Sequence, residues 1–194
     1  MKPGDQPDFF RRPAPEGRAR ESSLRLDRDG RFWHDGKLVE HPGVTAALHT
    51  WIARHPDDGR YILSNGYDWT YFTVEDAPYF VRALRVQPDR VVLVLSDGTE
   101  EAWLPASTRV GDDEALYATV KASIVRGKDR SRWEAKFSRH AQASLAPLLD
   151  DCCPPAVLIG GRVHPIGHNG PNSASIDDQQ NAPVDCRQAP PPRH

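Results

Sequence analysis

The chain has 194 residues, with 25 Lys and Arg against 27 Asp and Glu and a formal net charge of -2. That length fits one domain, or two small ones sharing a sheet, with a core large enough to need no disulfide staples. Charges of both signs are mixed without a basic cluster, which argues against nucleic acid as partner, and no apolar run approaches the ~18–20 residues of a membrane-spanning helix.

Residues 1–22 are rich in Pro, Arg and Gly and read as a disordered arm. Arg11 and Arg12 are followed by Pro-Ala-Pro-Glu-Gly rather than an apolar stretch, so the segment reads neither as a secretory leader nor as a twin-arginine one. Ordered patterning begins where Leu24 and Leu26 alternate with Arg25 and Asp27. Asp29-Gly30 and Asp35-Gly36 then punctuate a tight meander through Phe32, Trp33 and His34 to Leu38 and Val39, since Asp-Gly tolerates the positive φ of hairpin turns. Val44, Ala47, Leu48, Trp51 and Ile52 recur at helical spacing, so a helix is expected behind Pro42 and closed by Pro56 and Gly59.

Residues 60–63 read as a strand, Asn65-Gly66 as a primed hairpin turn, and residues 67–74 as the partner strand. The segment Val74-Glu75-Asp76-Ala77-Pro78 interrupts this pattern with two adjacent carboxylates, and residues 79–86 are extended again. The run Val91-Val92-Leu93-Val94-Leu95 predicts a central strand covered on both faces, turning at Asp97-Gly98 into residues 99–104. Two more alternating strands follow around Leu116–Val120 and Trp133–Phe137, separated by a turn at Gly127-Lys128-Asp129. A short helix is expected over residues 140–149.

The expected class is therefore α+β: twisted, mostly antiparallel sheets with two short helices. The order of strand, turn, aromatic strand and helix over residues 24–52 recurs over residues 116–149, with Trp33 and Trp133 each ahead of a helix. Two readings stay open, two related ββα-containing halves (23–88 and 89–150) or chance recurrence of a common unit. Residues 151–194, rich in Pro, Asn, Gln and Ser, read as a disordered tail whose one apolar cluster is Val157 to Ile159.

The ordered set DRDGRFWHDG, GRYIL, VEDAPYFV, LSDGTEEAWLPASTRVGDDEALYATVK and WEAKFSRHAQASLAPL resembles the bacterial domain-of-unknown-function family 1285 over about residues 24–149. The resemblance implies a compact α+β protein built from repeated β-rich motifs, with a role in small-molecule sensing or signalling. It brings no catalytic residue with it.

Motifs for chemistry are sparse. Glu75 and Asp76 are neighbours on an extended segment and point to opposite faces, so an acid/base pair is less expected than separate structural roles, such as pairing with Arg82 or Arg85. Asp27, Asp29 and Asp35 fail the calcium-loop spacing, because Arg31 and Phe32 stand at its fifth and sixth positions. His41, His49 and His55 lack the i, i+4 spacing of a zinc-protease helix, and adjacent Cys152 and Cys153 with His164 and His168 miss the usual zinc arm. No metal, cofactor or catalytic residue is assigned on this basis. The low cysteine count makes a reducing cytoplasm the simplest location.

The aromatics supply the best material for a pocket, and Trp33, His34, Trp69, Asp76, Tyr79 and Trp133 are the candidate ligand-binding residues. The expected function is a non-catalytic small-molecule-binding or signalling module with its cleft near Glu75 to Pro78. Two alternatives remain, an interaction module that forms a homodimer through its aromatic surface and a hydrolase-type enzyme using Glu75 or Asp76 with His34.

Overall fold

A computed structural model describes residues 2–6, 8–121, 133–150 and 155–167. In the first half the chain forms β1 (Glu21–Leu26), β2 (Phe32–His34), β3 (Lys37–Leu38), helix α1 (Pro42–Thr50), β4 (Ile52–Arg54), β5 (Tyr61–Ser64) and β6 (Trp69–Val74). The second half holds β7 (Tyr79–Val86), β8 (Val91–Leu95), β9 (Glu100–Ala102), β10 (Thr108–Val110), β11 (Leu116–Val120) and β12 (Trp133–Phe137), followed by α2 (Arg139–Ala143). A small third sheet joins β13 (Leu149–Asp150), β14 (Ala156–Ile159) and β15 (Arg162–Pro165).

The two large sheets share one rule. Their strand orders are β3-β2-β1-β6-β5-β4 and β9-β8-β7-β12-β11-β10. In each, the first and last strands of the half lie side by side and parallel, and antiparallel hairpins step outward from them. The fold is thus α+β with two similar halves, as expected, but the frame of the repeat differs from the one read in the sequence. Trp33 lies on β2, whose counterpart is β8, whereas Trp133 opens β12, whose counterpart is β6. Trp69 opens β6 as Trp133 opens β12, but the two turn to opposite faces, Trp69 packing with Ile62 outside the main core and Trp133 against it. The helices are not equivalent either: α1 follows β3, while α2 follows β12 and a single 3-10 turn (Pro105–Ser107) fills the place of α1. Short alternating strands look alike in sequence, so pairing geometry rather than pattern decides which ones correspond. The crossing between sheets falls at residues 75–78, and β7 pairs wholly within the second sheet.

Local chemistry explains the turns. Asp35 and Gly36 both have positive φ, at 49° and 74°, as the Asp-Gly hairpin requires. At Asn65-Gly66 only the glycine is left-handed; the Asn65 side chain accepts from the amides of Tyr67 and Asp68, so the loop takes in residues 65–68 before β6 starts. Helix α1 starts on a His41 cap and stops at Thr50, earlier than its apolar spacing suggests, because Ile52 is taken into β4 opposite Leu63. Strand β8 is not covered on both faces: Val91, Leu93 and Leu95 are buried while Val92 and Val94 are half-exposed.

One core serves both halves. Leu26, Phe32 and Phe72 from the first meet Phe80, Val81, Leu93 and Phe137 from the second. Val157, Ile159 and Ile166 join it, so residues 155–167 are ordered here despite the polar composition of the C-terminal region. The N-terminal segment likewise departs from the disorder its composition suggests, because Phe9 is buried in a separate cluster with Ile62 and Trp69. Composition averages over such segments and misses two or three well-placed apolar side chains. Cys152, Cys153, His168 and the Gly127–Asp129 turn lie outside the described residues.

Gly30, in the β1–β2 turn, has φ of +78°, and a Cβ there would meet the Phe80 ring at 2.8 Å. Gly30→Ala combines a left-handed penalty of about 1 kcal/mol with overpacking of about 1–3 kcal/mol. Urea unfolding is expected to show a loss of roughly 2 kcal/mol or more, with an unchanged denaturant slope.

Candidate functional site: the cleft between the halves

The site begins with the divergence of Glu75 and Asp76. The Glu75 amide donates to the Leu26 carbonyl at 3.0 Å, continuing the β1–β6 pairing, and its carboxylate pairs with Arg25 on β1. Asp76 turns to the second half, where it accepts from the Tyr117 hydroxyl at 3.0 Å and from Lys136 Nζ at 2.7 Å. Their partners are therefore Arg25 and Lys136, not Arg82 or Arg85. Ala77 is buried against Ala115 and Tyr117, which fixes the linker between its two anchors.

Lys136 carries the linker's influence to the surface. Its ammonium also reaches Asp113 Oδ2 at 3.0 Å. Partial burial disfavours the charge, but the bonds from Asp76 and Asp113 outweigh it and hold Lys136 protonated well above its ordinary range. Behind it, Arg109 lies 3.9 Å from the Tyr117 ring and forms a two-pronged pair with Glu134 at 2.7 and 2.9 Å. The lysine therefore has a fixed position on the wall of an open cleft.

That cleft has a volume of about 860 Å³. One wall is the β1–β2 turn, with Arg28, Asp29 and Arg31; the other is the end of β12 and α2, with Lys136, Ser138, Arg139 and Gln142. Phe80 and Phe137 contribute apolar surface, and Asp113 and Glu114 stand on the rim. The turn is shaped by Asp27, whose Oδ1 accepts from the amides of Asp29 and Arg31 at 3.0 and 2.8 Å. Ser138 caps α2 through the Ala141 amide, and Gln142 donates to the Glu114 carbonyl at 2.9 Å, holding that left-handed residue in place. Among the described residues, the side chains of Arg28, Arg31 and Arg139 form no salt bridge and donate no hydrogen bond. They come from both halves.

A second polar group lies behind the same turn. Arg82 donates to the Gly30 carbonyl at 3.2 Å and stands 3.4 Å from His49 Nε2. Burial, with the charge of Arg82, pushes the His49 imidazole down to about 4. Further inside, Lys121 and Asp97 form a buried ion pair at 2.7 Å, and Lys121 holds a left-handed backbone with φ of 55°.

None of the six residues singled out from the sequence lines the cleft wall, although Asp76 acts on it through Lys136. Tyr79 and Trp133 meet edge to face at 5.5 Å, and the Tyr79 hydroxyl donates to the Ile52 carbonyl at 3.3 Å, a core contact between halves. Burial raises the pKa of that hydroxyl. The Trp33 indole donates to Asp27 Oδ2 at 2.7 Å and thereby supports the β1–β2 turn. His34 is exposed beside Asp35, and Trp69 lies under the N-terminal segment. Among the described residues, Glu75, Asp76 and His34 share no hydrogen-bond or ion-pair partner. Sequence reasoning missed Arg28, Arg31, Lys136 and Arg139; Arg28 and Arg31 lie in the turn weighed as a calcium loop, where Arg31 and Phe32 counted against the site.

No family model matches the chain, and no curated protein does. Two solved structures do. One is the crystal structure of a DUF1285 family protein from Silicibacter pomeroyi DSS-3, at 15% identity and TM-score 0.51, covering 86% of this chain and 90% of that one. The other is a DUF1285 family protein from Shewanella baltica OS155, at 19% identity and TM-score 0.48, covering 66% of this chain and 94% of that one. The chain resembles this family, and at these identities the likeness to the first structure is one of fold. No described helix is long and apolar enough to cross a membrane.

Two measurements test the site's electrostatics. Asp76 and Lys136 side chains are 19% and 13% exposed, so Asp76→Ala removes the more buried of the lysine's two carboxylates, leaves it on the exposed Asp113, and is expected to cost roughly 1–2 kcal/mol, against about 1 kcal/mol or less for Tyr117→Phe. For His49, the unfolded chain takes up a proton below 6.5 but the native state only near 4. Stability is therefore complete above that window and falls as pH drops through it, by roughly 3 kcal/mol, and a His49→Phe protein loses this component of the pH dependence.

Proposed function

We propose that the protein is a cytoplasmic, non-catalytic binding module that takes a small, negatively charged molecule between its halves and serves in sensing or signalling. The observation that carries this reading is the set of three arginines, Arg28, Arg31 and Arg139, which face one cleft from both halves and, among the described residues, form no salt bridge there, with Asp29, Asp113 and Glu114 also in the lining. Unpaired guanidinium groups on a concave surface are ready donors for carboxylate or phosphate oxygens. The cleft volume falls within the ~300–1,000 Å³ usual for small-molecule sites, and Phe80 and Phe137 supply apolar floor beside the charges.

Binding is favoured over turnover by the state of the central side chains. Asp76 already accepts from two donors, and Lys136 is held charged between Asp76 and Asp113, so neither is free to act as base or nucleophile. A ligand touching Arg31 and Arg139 together would clasp the two halves and stabilise the native state by about 2.7 kcal/mol at a hundred times its dissociation constant. That clasp is the signal such a module can transmit.

Thermal unfolding against a panel of small phosphorylated and polycarboxylate metabolites, with neutral and cationic metabolites alongside, checks this. The expected result is an upward shift confined to anionic compounds and lost in the Arg31→Ala/Arg139→Ala protein. A flat panel, or a shift that survives the double substitution, overturns it.

A further inference from the structure

The face of the first sheet that turns away from the shared core carries a second aromatic surface, built from Ile62, Trp69, Tyr71 and His55. It is covered by the chain's own N-terminal segment. Phe9 is 4% exposed there, and the Phe10 ring lies 6.1 Å from Trp69 and 6.2 Å from His55. The Gly4 amide donates to the Gly66 carbonyl at 2.8 Å, and polar side chains fasten the segment at three further places. His55 Nδ1 accepts from the Asp57 amide at 3.3 Å, so its Nε2–H donates to the Phe10 carbonyl at 3.1 Å. Arg11 forks onto both oxygens of Asp57 at 3.0 and 2.9 Å. The Arg20 guanidinium, 4.4 Å from the Trp69 ring, bonds Asp68 and the Trp69 carbonyl on the sheet and the Pro13 carbonyl on the segment.

This cluster is separate from the main core. The connection back to β1, residues 14–19, is mostly exposed, and its one backbone hydrogen bond is the turn from the Arg18 amide to the Pro15 carbonyl. A self-contained sticky segment, a groove that fits it and a short, proline-bearing exposed hinge are the ingredients of segment exchange. We propose that residues 2–13 exchange between two copies of this chain, so that each copy's groove is filled by the Phe9, Phe10 and Arg11 of the other. The occupant is a second copy because the side-chain contacts fit this segment's own sequence: two adjacent aromatics for the Trp69 and His55 surface, then an arginine for Asp57. Six residues reach up to roughly 20 Å, enough to cross between adjacent copies. This interaction is independent of the cleft and its ligand.

Light scattering on the size-separated full-length protein, over a range of concentrations, tests it. Four forms are compared: the natural chain, one with residues 15–18 deleted, one with a flexible Gly/Ser insertion after Gly17, and the shortened chain with Phe9 and Phe10 replaced by alanine. Shortening the hinge prevents closure onto the same chain and is expected to shift the protein to dimer; lengthening it is expected to abolish dimer. Phe9→Ala/Phe10→Ala in the shortened chain is expected to return it to monomer. A monomeric shortened chain, or a dimer that persists through the lengthened hinge or the double substitution, overturns the proposal. Should the shortened chain fail to fold, the natural and lengthened chains decide alone: equal dimer content in both, or none in either, overturns it.

Discussion

The structure depends on how one short linker satisfies two carboxylates. Adjacent residues on extended backbone project to opposite sides. Glu75 is thereby delivered to Arg25 in the first half and Asp76 to Tyr117 and Lys136 in the second. A linker that shared one partner between both residues would leave one half unanchored. Here each half is tied at the point where the chain crosses, and Lys136, once fixed, sets the position of the β12 wall of the cleft. The same opposition removes the acid/base reading of the pair, since their carboxylates act in different halves.

The halves follow from a second constraint. In each, the first and last strands are parallel neighbours, so the chain must leave the sheet, turn outward through hairpins and return to its own starting strand. The turns that allow this are written in Asp-Gly and Asp-x-Asp-Gly steps, and these were legible. So were the α+β class and the strand at Tyr79, while a repeat stood as one of two open readings. The frame of the repeat was not legible, because Trp33 and Trp133 both precede a helix in sequence while lying on strands that do not correspond. Nor was the end of α1, where Leu48 and Ile52 fit one helical face until the pairing of Ile52 with Leu63 claims the latter for a strand.

The cleft was least legible of all. Its arginines sit in a turn and at the start of a short helix, positions where an exposed cation is ordinary, and nothing periodic marks them. What singles them out is convergence: Arg31 from the first half and Arg139 from the second face one hollow, and among the described residues neither is held in a salt bridge, although Asp29, Asp113 and Glu114 share the lining. The aromatic residues, which looked like pocket material, serve instead as supports. Trp33 holds Asp27 and so the turn; Tyr79 bridges the halves; Trp69 receives the N-terminal segment. Large aromatics bury well; the polar handles of Trp33 and Tyr79 find partners as they do so, whereas the Trp69 indole N–H is buried with none among the described residues.

The central claim is that both walls of the cleft act on one anion. Backbone amide spectra during titration with pyrophosphate, and separately with citrate, test it most directly. The account predicts that amides of residues 28–31 and of residues 136–142 move together, with the same apparent affinity, while those of β3 and α1 stay still. Movement of only one of the two walls, or a response centred elsewhere, contradicts it.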